Sequence, residues 1–385
     1  MINIWIVLVF IFAFGCCAGS FLNVVIYRMP RDKSLISPAS ACPVCNEHIR
    51  FYDNIPLVSW IVLGAKCRNC KAPISPRYFI IELLTGSVFL GLFLLYFVFD
   101  VRGFEIEGTR GIEAFFKGGW LIYLMHIILL SSLIAASAID LELWVIPIAI
   151  CWFAAIMGVV GCFLSPFIIR PEKVSSLYPV AQANANTSAL AGGAVIGLAI
   201  SLVLLITGVI KRSYENQGEP EQQQTPDNQT QVNHRKEILK EAVFLLPVII
   251  CSVSSYIILS GLNPTWWRNL CGNPAVATLF GSIFGYFMGG GVVWATRILG
   301  TLAFGREAMG LGDVHLMAAA GAVIGPLPVV VAFFAAPFFG LGWASGQMFF
   351  KKIRQIPYGP FLSTGILTVM ILHDRIVSYW EYINF

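Results

Sequence analysis

The sequence predicts an all-α polytopic membrane protein with roughly eight to ten transmembrane helices and a small loop domain containing four cysteines. Hydrophobic residues make up 57% of the 385 residues and charged residues only 12%, whereas soluble domains carry about 25% charged residues. One soluble core cannot bury this much apolar surface, so the bilayer is expected to act as the solvent. The net charge of +4 is too small to indicate a nucleic-acid partner.

Apolar runs of about 20 residues are long enough to cross a bilayer as helices. In chain order, the candidate segments are 2–27, 78–99, 119–139, 146–169, 189–210, 242–261, 275–299, 314–325, 329–350 and 359–373. The eighth is short and is followed by Gly325-Pro326-Leu327-Pro328, so a re-entrant segment is the alternative there. The first is expected to be a helix rather than a signal peptide, because it lacks a basic n-region and a small-residue cleavage site.

Basic residues predict the orientation of these segments. The loop 28–77 carries eight lysines and arginines, which places it in the cytoplasm by the positive-inside rule. Counting spans onward places Asp140 and Asp313 at the same cytoplasmic face. The predicted organisation is a first helix (1–27), a cytoplasmic zinc-binding loop domain (28–77), helices with the first aspartate (78–210), a polar cytoplasmic linker (211–241) and helices with the second aspartate (242–385).

Four of the ten cysteines form two C-x-x-C pairs in the predicted cytoplasmic loop. They are Cys42 and Cys45, followed about twenty residues later by Cys67 and Cys70. This spacing is typical of a closed, four-thiolate structural zinc site. A reducing compartment disfavours disulfides, and a bound metal would stabilise a loop with few apolar residues. Unmetallated or redox-active cysteines are the alternative.

Two aspartates are the candidate catalytic residues. Asp140 ends one apolar segment seven residues before Pro147, and Asp313 follows Gly310-Leu311-Gly312. An ionisable side chain at membrane depth is costly and indicates a functional site. Two carboxylates that share a site cannot both ionise easily, so one keeps its proton while the other activates water. Glu142 is an alternative acid, and a lone aspartate would also suit a transporter or a partner for Lys or Arg.

At these residues the chain resembles the type IV prepilin peptidases, which are leader peptidases and N-methyltransferases of the GxGD aspartic class of membrane proteases. The resemblance extends over nearly the whole chain and keeps the family order. The matching motifs are 19–28, the paired cysteines with 54–60, 74–78 with 82–86, 139–147, 309–313 and 356–360.

The resemblance implies an enzyme of the bacterial inner (cytoplasmic) membrane. Such an enzyme cuts the short basic leader from type IV prepilins or pseudopilins after a glycine, and Asp140 and Asp313 match the catalytic pair of the family. Bifunctional members also methylate the new N-terminus with S-adenosylmethionine, and the cysteine loop is associated with them. The implied partners are prepilin or pseudopilin substrates, the lipid bilayer and pilus or type II secretion assembly proteins, with no nucleic acid.

Three features depart from the family pattern. His315 stands where the family usually has lysine, Ala65 stands where it usually has glycine before the second cysteine pair, and the region 170–275 is longer than usual. The alanine puts methylation in doubt. Two other function classes stay open, namely an ion- or proton-coupled transporter that uses the carboxylates and a structural component of a secretion or pilus machine.

Overall fold

Helices dominate the computed structural model, which describes residues 4–174, 178–213, 234–350 and 357–383. Its α-helices are α1 Ile4–Arg28, α2 Val58–Val62, α3 Pro76–Phe93, α4 Ile112–Ala114, α5 Trp120–Leu143, α6 Ile148–Ile168, α7 Ala185–Ile206, α8 His234–Leu262, α9 Thr265–Cys271, α10 Pro274–Phe304, α11 Leu311–Ile324, α12 Pro326–Phe350 and α13 Gly359–Ile383. Two π-helical turns, Leu94–Val98 and Phe115–Gly119, extend α3 and α4. In these ranges the only β pairing consists of isolated bridges.

Nine helices within the described ranges are long and apolar enough to cross a membrane. The prediction of eight to ten spans in an all-α, multi-pass membrane protein is therefore confirmed. The short eighth segment forms α11, whose 14 residues extend only about 21 Å, less than the ~30 Å hydrocarbon core. Most of the predicted linker 211–241 lies outside the described residues. Its last part, from His234 onward, forms the first turns of α8.

The chain divides into two compact units. The first contains residues 1–157, 168–179 and 334–385, and the second contains 158–167 and 180–333. In the first unit, α1 packs closely on α3, because a Cβ on Gly19 would lie 2.7 Å from the Cα of Glu82. A buried apolar cluster then joins these helices to α5 and α6, with the members Leu22, Val25, Ile26, Ile81, Ala135, Ile139 and Ile150.

Close backbone contacts also organise the second unit. On α7, a Cβ at Gly193 or Gly197 would overlap backbone atoms of α8. On α10, the glycines at 281 and 285 pack against backbone atoms of Ala181 and Gly321. The similar glycine spacing of the two segments therefore serves helix packing, as small residues do in lipid.

Candidate active site

Asp140 lies in the first unit, in the final turn of α5, where it meets the start of α13. Its side chain is buried, and one carboxylate oxygen accepts a hydrogen bond of 3.0 Å from the backbone N–H of Gly359. Gly359 is the first residue of α13, and its N–H has no acceptor within its own helix. Asp140 therefore caps α13 from another helix, at the end of the dipole that favours a negative charge.

The same contact explains why residue 359 is a glycine. A Cβ there would lie 2.8 Å from the Asp140 Oδ2 atom and 3.4 Å from the Ile146 side chain. A second link between the helices comes from the Ser137 and Ser363 hydroxyls, whose oxygens lie 2.8 Å apart. The Asp140 carboxylate is thus held between two helices at a position that tolerates no larger neighbour.

Glu142 has a different environment from Asp140. Its carboxylate forms an ion pair with Arg77 in the first turn of α3, and its side chain is 36% exposed. Trp144, the C-cap residue directly after α5, adopts a left-handed φ of 58° and donates its N–H to the Asp140 carbonyl at 3.0 Å. Because Glu142 is partly exposed and paired with Arg77, whereas Asp140 is buried, Asp140 is the better candidate for a catalytic acid.

Asp313 lies in the second unit, at the third residue of α11. Gly310 is the N-cap of this helix, and a Cβ on it would lie 3.3 Å from the Asp313 Oδ2 atom. The buried carboxylate therefore folds back toward the N-terminus of its own helix, where the dipole favours a negative charge. Both candidate carboxylates thus lie beside a glycine at a helix N-terminus, Asp140 at that of the neighbouring helix α13 and Asp313 at that of its own helix.

Arg297 of α10 holds the loop that leads into α11. Its side chain is only 2% exposed. The guanidinium donates to both carboxylate oxygens of Glu241 on α8, at 2.9 and 3.0 Å, and it also bonds to the Glu307 carboxylate and the Met309 carbonyl. One buried cation therefore connects α8, α10 and the segment directly before Gly310.

The rest of α11 is fixed against α10 by small residues. A Cβ on Gly285 would overlap the Gly321 carbonyl, and a Cβ on Gly321 would overlap the Gly285 carbonyl. The Ser282 hydroxyl donates to the Ala322 carbonyl at 2.6 Å. These contacts set the position of the helix that carries Asp313.

The four predicted metal ligands come together in the first unit. Their sulfur atoms all lie within 4.8 Å of one another, and the Cys42 and Cys70 sulfurs are 3.8 Å apart. A tetrahedral site with Zn–S bonds of about 2.3 Å separates its sulfurs by about 3.8 Å. The described residues around this cluster add no histidine or carboxylate to the set, so His48 is not part of it.

The two cysteine pairs form matching turns. In each, the first cysteine donates its N–H to the carbonyl five residues later, Glu47 at 2.9 Å and Ala72 at 2.8 Å. In each, the residue four positions after that cysteine has a positive φ, namely 56° at Asn46 and 61° at Lys71. This repeated geometry aims all four sulfurs at one point, which fits a zinc ion.

The protonation of the thiols also suits a cation. Hydrogen bonds from the backbone of Cys45 and Val44 lower the pKa of Cys42 to about 6. At Cys70 the backbone hydrogen bond of Ala72 lowers the pKa, but burial and hydrogen bonds with the other thiols outweigh it and raise the pKa to about 11. At neutral pH the Cys42 thiol is thus ionised while Cys70 keeps its proton, and a bound divalent cation would stabilise all four side chains as thiolates.

The structure leaves the pairing of the aspartates as a prediction, because Asp140 belongs to the first unit and Asp313 to the second. Sequence reasoning assigned no role to Gly359 or Arg297. An arginine inside an apolar segment was the available signal for Arg297, since a charge at membrane depth normally has a partner. Nothing in the sequence alone connects Gly359 with Asp140.

Two family models match the chain. Residues 13–96 match the bacterial peptidase A24 N-terminal domain, and residues 243–345 match the type IV leader peptidase family. The first match includes the four cysteines, and the second includes Arg297 and Asp313. Asp140 lies outside both matched ranges.

Curated relatives carry names of the same kind. The chain is 40% identical over 156 residues to a prepilin leader peptidase/N-methyltransferase of Myxococcus xanthus, covering 40% of each chain. It is 40% identical over 146 residues to a type 4 prepilin-like proteins leader peptide-processing enzyme of Escherichia coli, covering 33% of this chain and 46% of the relative. A prepilin leader peptidase/N-methyltransferase of Aeromonas hydrophila is 29% identical over 189 residues, covering 42% of this chain and 58% of the relative.

The matched segments therefore span between 40% and 58% of the length of these relatives. No solved structure matches the chain. The two family models match in the expected order, and the relatives agree with both of them. The chain is therefore similar to type IV leader peptidases over these two regions.

Proposed function

We propose that this protein is a membrane aspartic endopeptidase that removes the short basic leader from type IV prepilins or pseudopilins after a glycine. Asp140 and Asp313 are its catalytic carboxylates. The observation that carries the proposal is Asp313, a buried acid at the N-terminus of the short helix α11, inside the range that matches the leader peptidase family. An ionisable side chain at membrane depth is by default a candidate functional residue.

The chemistry needs one carboxylate in each protonation state. The ionised carboxylate takes a proton from water, whose oxygen attacks the scissile carbonyl carbon. The protonated carboxyl group donates its proton to the carbonyl oxygen as that oxygen gains negative charge. Collapse of the tetrahedral intermediate then breaks the C–N bond. The leaving amine takes the proton that the first carboxylate had accepted from water, and a hydroxyl of the intermediate returns a proton to the second carboxylate as the new carboxylic acid forms. Both residues are needed for this cycle.

The four cysteines would hold a structural zinc ion. Cys42, Cys45, Cys67 and Cys70 supply four thiolates and leave no open position for substrate, so the metal would stabilise the loop rather than activate water.

N-methylation of the new N-terminus with S-adenosylmethionine is a further part of the proposal. It is supported by the N-methyltransferase in the names of two of the relatives. That cofactor would supply the methyl group, and no residue is assigned to it. We further propose that the enzyme lies in the bacterial inner membrane with the zinc loop and both aspartates at the cytoplasmic face, and that it acts alongside pilus or secretion assembly proteins.

The test is cleavage of a prepilin in membranes by the wild type and by the Asp140→Asn and Asp313→Asn variants, read by mass spectrometry of the product N-terminus. Asparagine keeps an oxygen that can accept the Gly359 N–H, so Asp140→Asn preserves the cap on α13 while removing the acid. Glu142→Gln is the matched control, because it removes a neighbouring carboxylate that is already paired with Arg77.

We expect both asparagine variants to lose cleavage and Glu142→Gln to keep it. A methyl mass increment on the wild-type product would support the second activity. Cleavage by both asparagine variants would contradict the proposal, since Asp140 would then only cap α13. Ion flux in proteoliposomes without cleavage would instead favour the transporter.

A further inference from the structure

We propose that α2, with the sequence Val58-Ser59-Trp60-Ile61-Val62, is an interfacial helix. It lies at the headgroup–acyl boundary of the bilayer and anchors the cysteine loop to the membrane surface. The inference does not rest on peptidase activity. It rests on where α2 contacts α3, on which of its side chains remain uncovered, and on the charge of the surrounding loop.

α2 packs beside the first turn of α3, near one end of the candidate membrane span. The candidate span that begins with α3 runs from Pro76 to Val98 and has 23 residues, about 34 Å of helix. That length matches a hydrocarbon core of ~30 Å, so Pro76 marks one boundary. The Trp60 ring packs on the Phe79 ring at a centroid distance of 5.0 Å. Phe79 is three residues, or about 5 Å, inside that boundary.

A second contact lies deeper on the same helix. The Leu57 N–H, directly before α2, donates to the Glu82 carboxylate at 2.8 Å. Glu82 is buried in the packing of α1 against α3. Leu57 has a φ of 62°, a conformation that costs free energy for a residue with a side chain. The loop is thus tied to a carboxylate of a membrane helix, and α2 lies beside the first turns of that helix.

One face of α2 is apolar and uncovered. Val58, Ile61 and Val62 are spaced i, i+3 and i+4, so they share one side of the helix. They are 53%, 62% and 73% exposed, while Trp60 faces α3. Aliphatic side chains at the headgroup–acyl boundary are stabilised by burial in lipid, as in interfacial helices. The uncovered face therefore fits the bilayer that α3 already enters.

The loop that contains α2 carries an excess of positive charge. The loop 28–77 contains eight lysines and arginines but only three acidic residues, Asp32, Glu47 and Asp53. One of these acids, Asp53, is already paired with Arg68 at 2.6 Å. Lys66 and Lys71, on either side of the second cysteine pair, are exposed. An excess of basic residues beside an apolar face suits anionic phospholipid headgroups, which identifies lipid as the partner.

The experiment uses the full-length protein in nanodiscs of phosphatidylcholine, alone or mixed with phosphatidylglycerol. A photoreactive benzoylphenylalanine replaces Ile61 or Val62, and Asn69, an exposed polar residue of the second cysteine pair, is the control site. After irradiation, adducts are identified by mass spectrometry. We expect phospholipid adducts at 61 and 62 in several-fold excess over 69, with a higher yield when phosphatidylglycerol is present.

Two results would overturn the proposal. One is reaction at 61 and 62 only with protein, which would mean that another polypeptide covers this face. The other is the same low lipid yield at all three sites, which would place α2 in water. A second readout guards against misfolding. Val62→Glu should increase hydrogen exchange in residues 51–63 while zinc content stays unchanged, and unchanged exchange would also contradict an interfacial seat.

Discussion

Replacing Arg297 with methionine should destabilise the second unit by about 3 kcal/mol. Methionine fills much of the arginine volume but leaves the Glu241 carboxylate, which is 5% exposed, without its cation. Breaking a buried ion pair by removing one partner costs about 3–5 kcal/mol, because an uncompensated charge remains. The lower end applies here, since Glu241 still accepts hydrogen bonds from Trp294 at 2.7 Å and Ser213 at 3.2 Å.

Reversible unfolding in mixed micelles measures this change. Arg306→Met is the matched control, because Arg306 is exposed in the loop between α10 and α11 and surface substitutions usually change stability by less than about 0.5 kcal/mol. The double variant Arg297→Met with Glu241→Met removes both charges together. It should recover much of the lost stability, because an apolar pair can replace a buried ion pair at little cost.

Two results would contradict this prediction: the same small effect for Arg297→Met and Arg306→Met, or a double variant whose loss of stability equals the sum of the losses in the two single variants. Either result would mean that Arg297 and Glu241 do not act as one buried pair. A second readout follows from the bond to the Met309 carbonyl. The loop before Asp313 should become more exposed to hydrogen exchange in Arg297→Met but not in Arg306→Met.

Three further predictions concern the two candidate sites. Gly359→Ala should reduce prepilin cleavage by about 10²-fold, because the alanine Cβ would displace the Asp140 carboxylate and small misplacements of a catalytic group have effects of that size. The control Gly342→Ala should cleave normally, because a Cβ on Gly342 would meet open space. Ala65→Gly should stabilise the cysteine loop by about 1 kcal/mol, because Ala65 has a left-handed φ of 57° that glycine adopts freely; unchanged hydrogen-exchange protection would contradict this. Cys67→Ser should lower the zinc content from about one ion per chain and remove protection from the loop, and an unaltered metal content in elemental analysis would exclude that cysteine as a ligand.

Composition and spacing were enough to predict the helical membrane fold and the cysteine cluster. Runs of apolar residues report burial in lipid directly, and a C-x-x-C pair fixes two ligands within one local turn. The short length of α11 was also visible, because its run ends at Gly325. These features depend on neighbouring residues in the chain, which is why the sequence alone was sufficient.

Long-range polar contacts were not predictable in the same way. Gly359 and Asp140 are 219 positions apart, and Arg297 and Glu241 are 56 apart. Each contact is set by how helices pack, and no periodicity in the sequence reports the partner. The exposed face of α2 was missed for another reason, since five residues are too few for a recognisable amphipathic pattern.

The glycine contact between α10 and α11 has a consequence for how this sequence can vary. The two glycines are Gly285 and Gly321, and a Cβ on either one would overlap the carbonyl of the other. Neither position can therefore accept another residue unless the helices separate. The contact also holds α11 and α10 at the close approach that small residues allow in lipid. Any opening that admits a substrate should therefore arise in other elements, and variant libraries aimed at altered substrate preference should keep these two positions fixed.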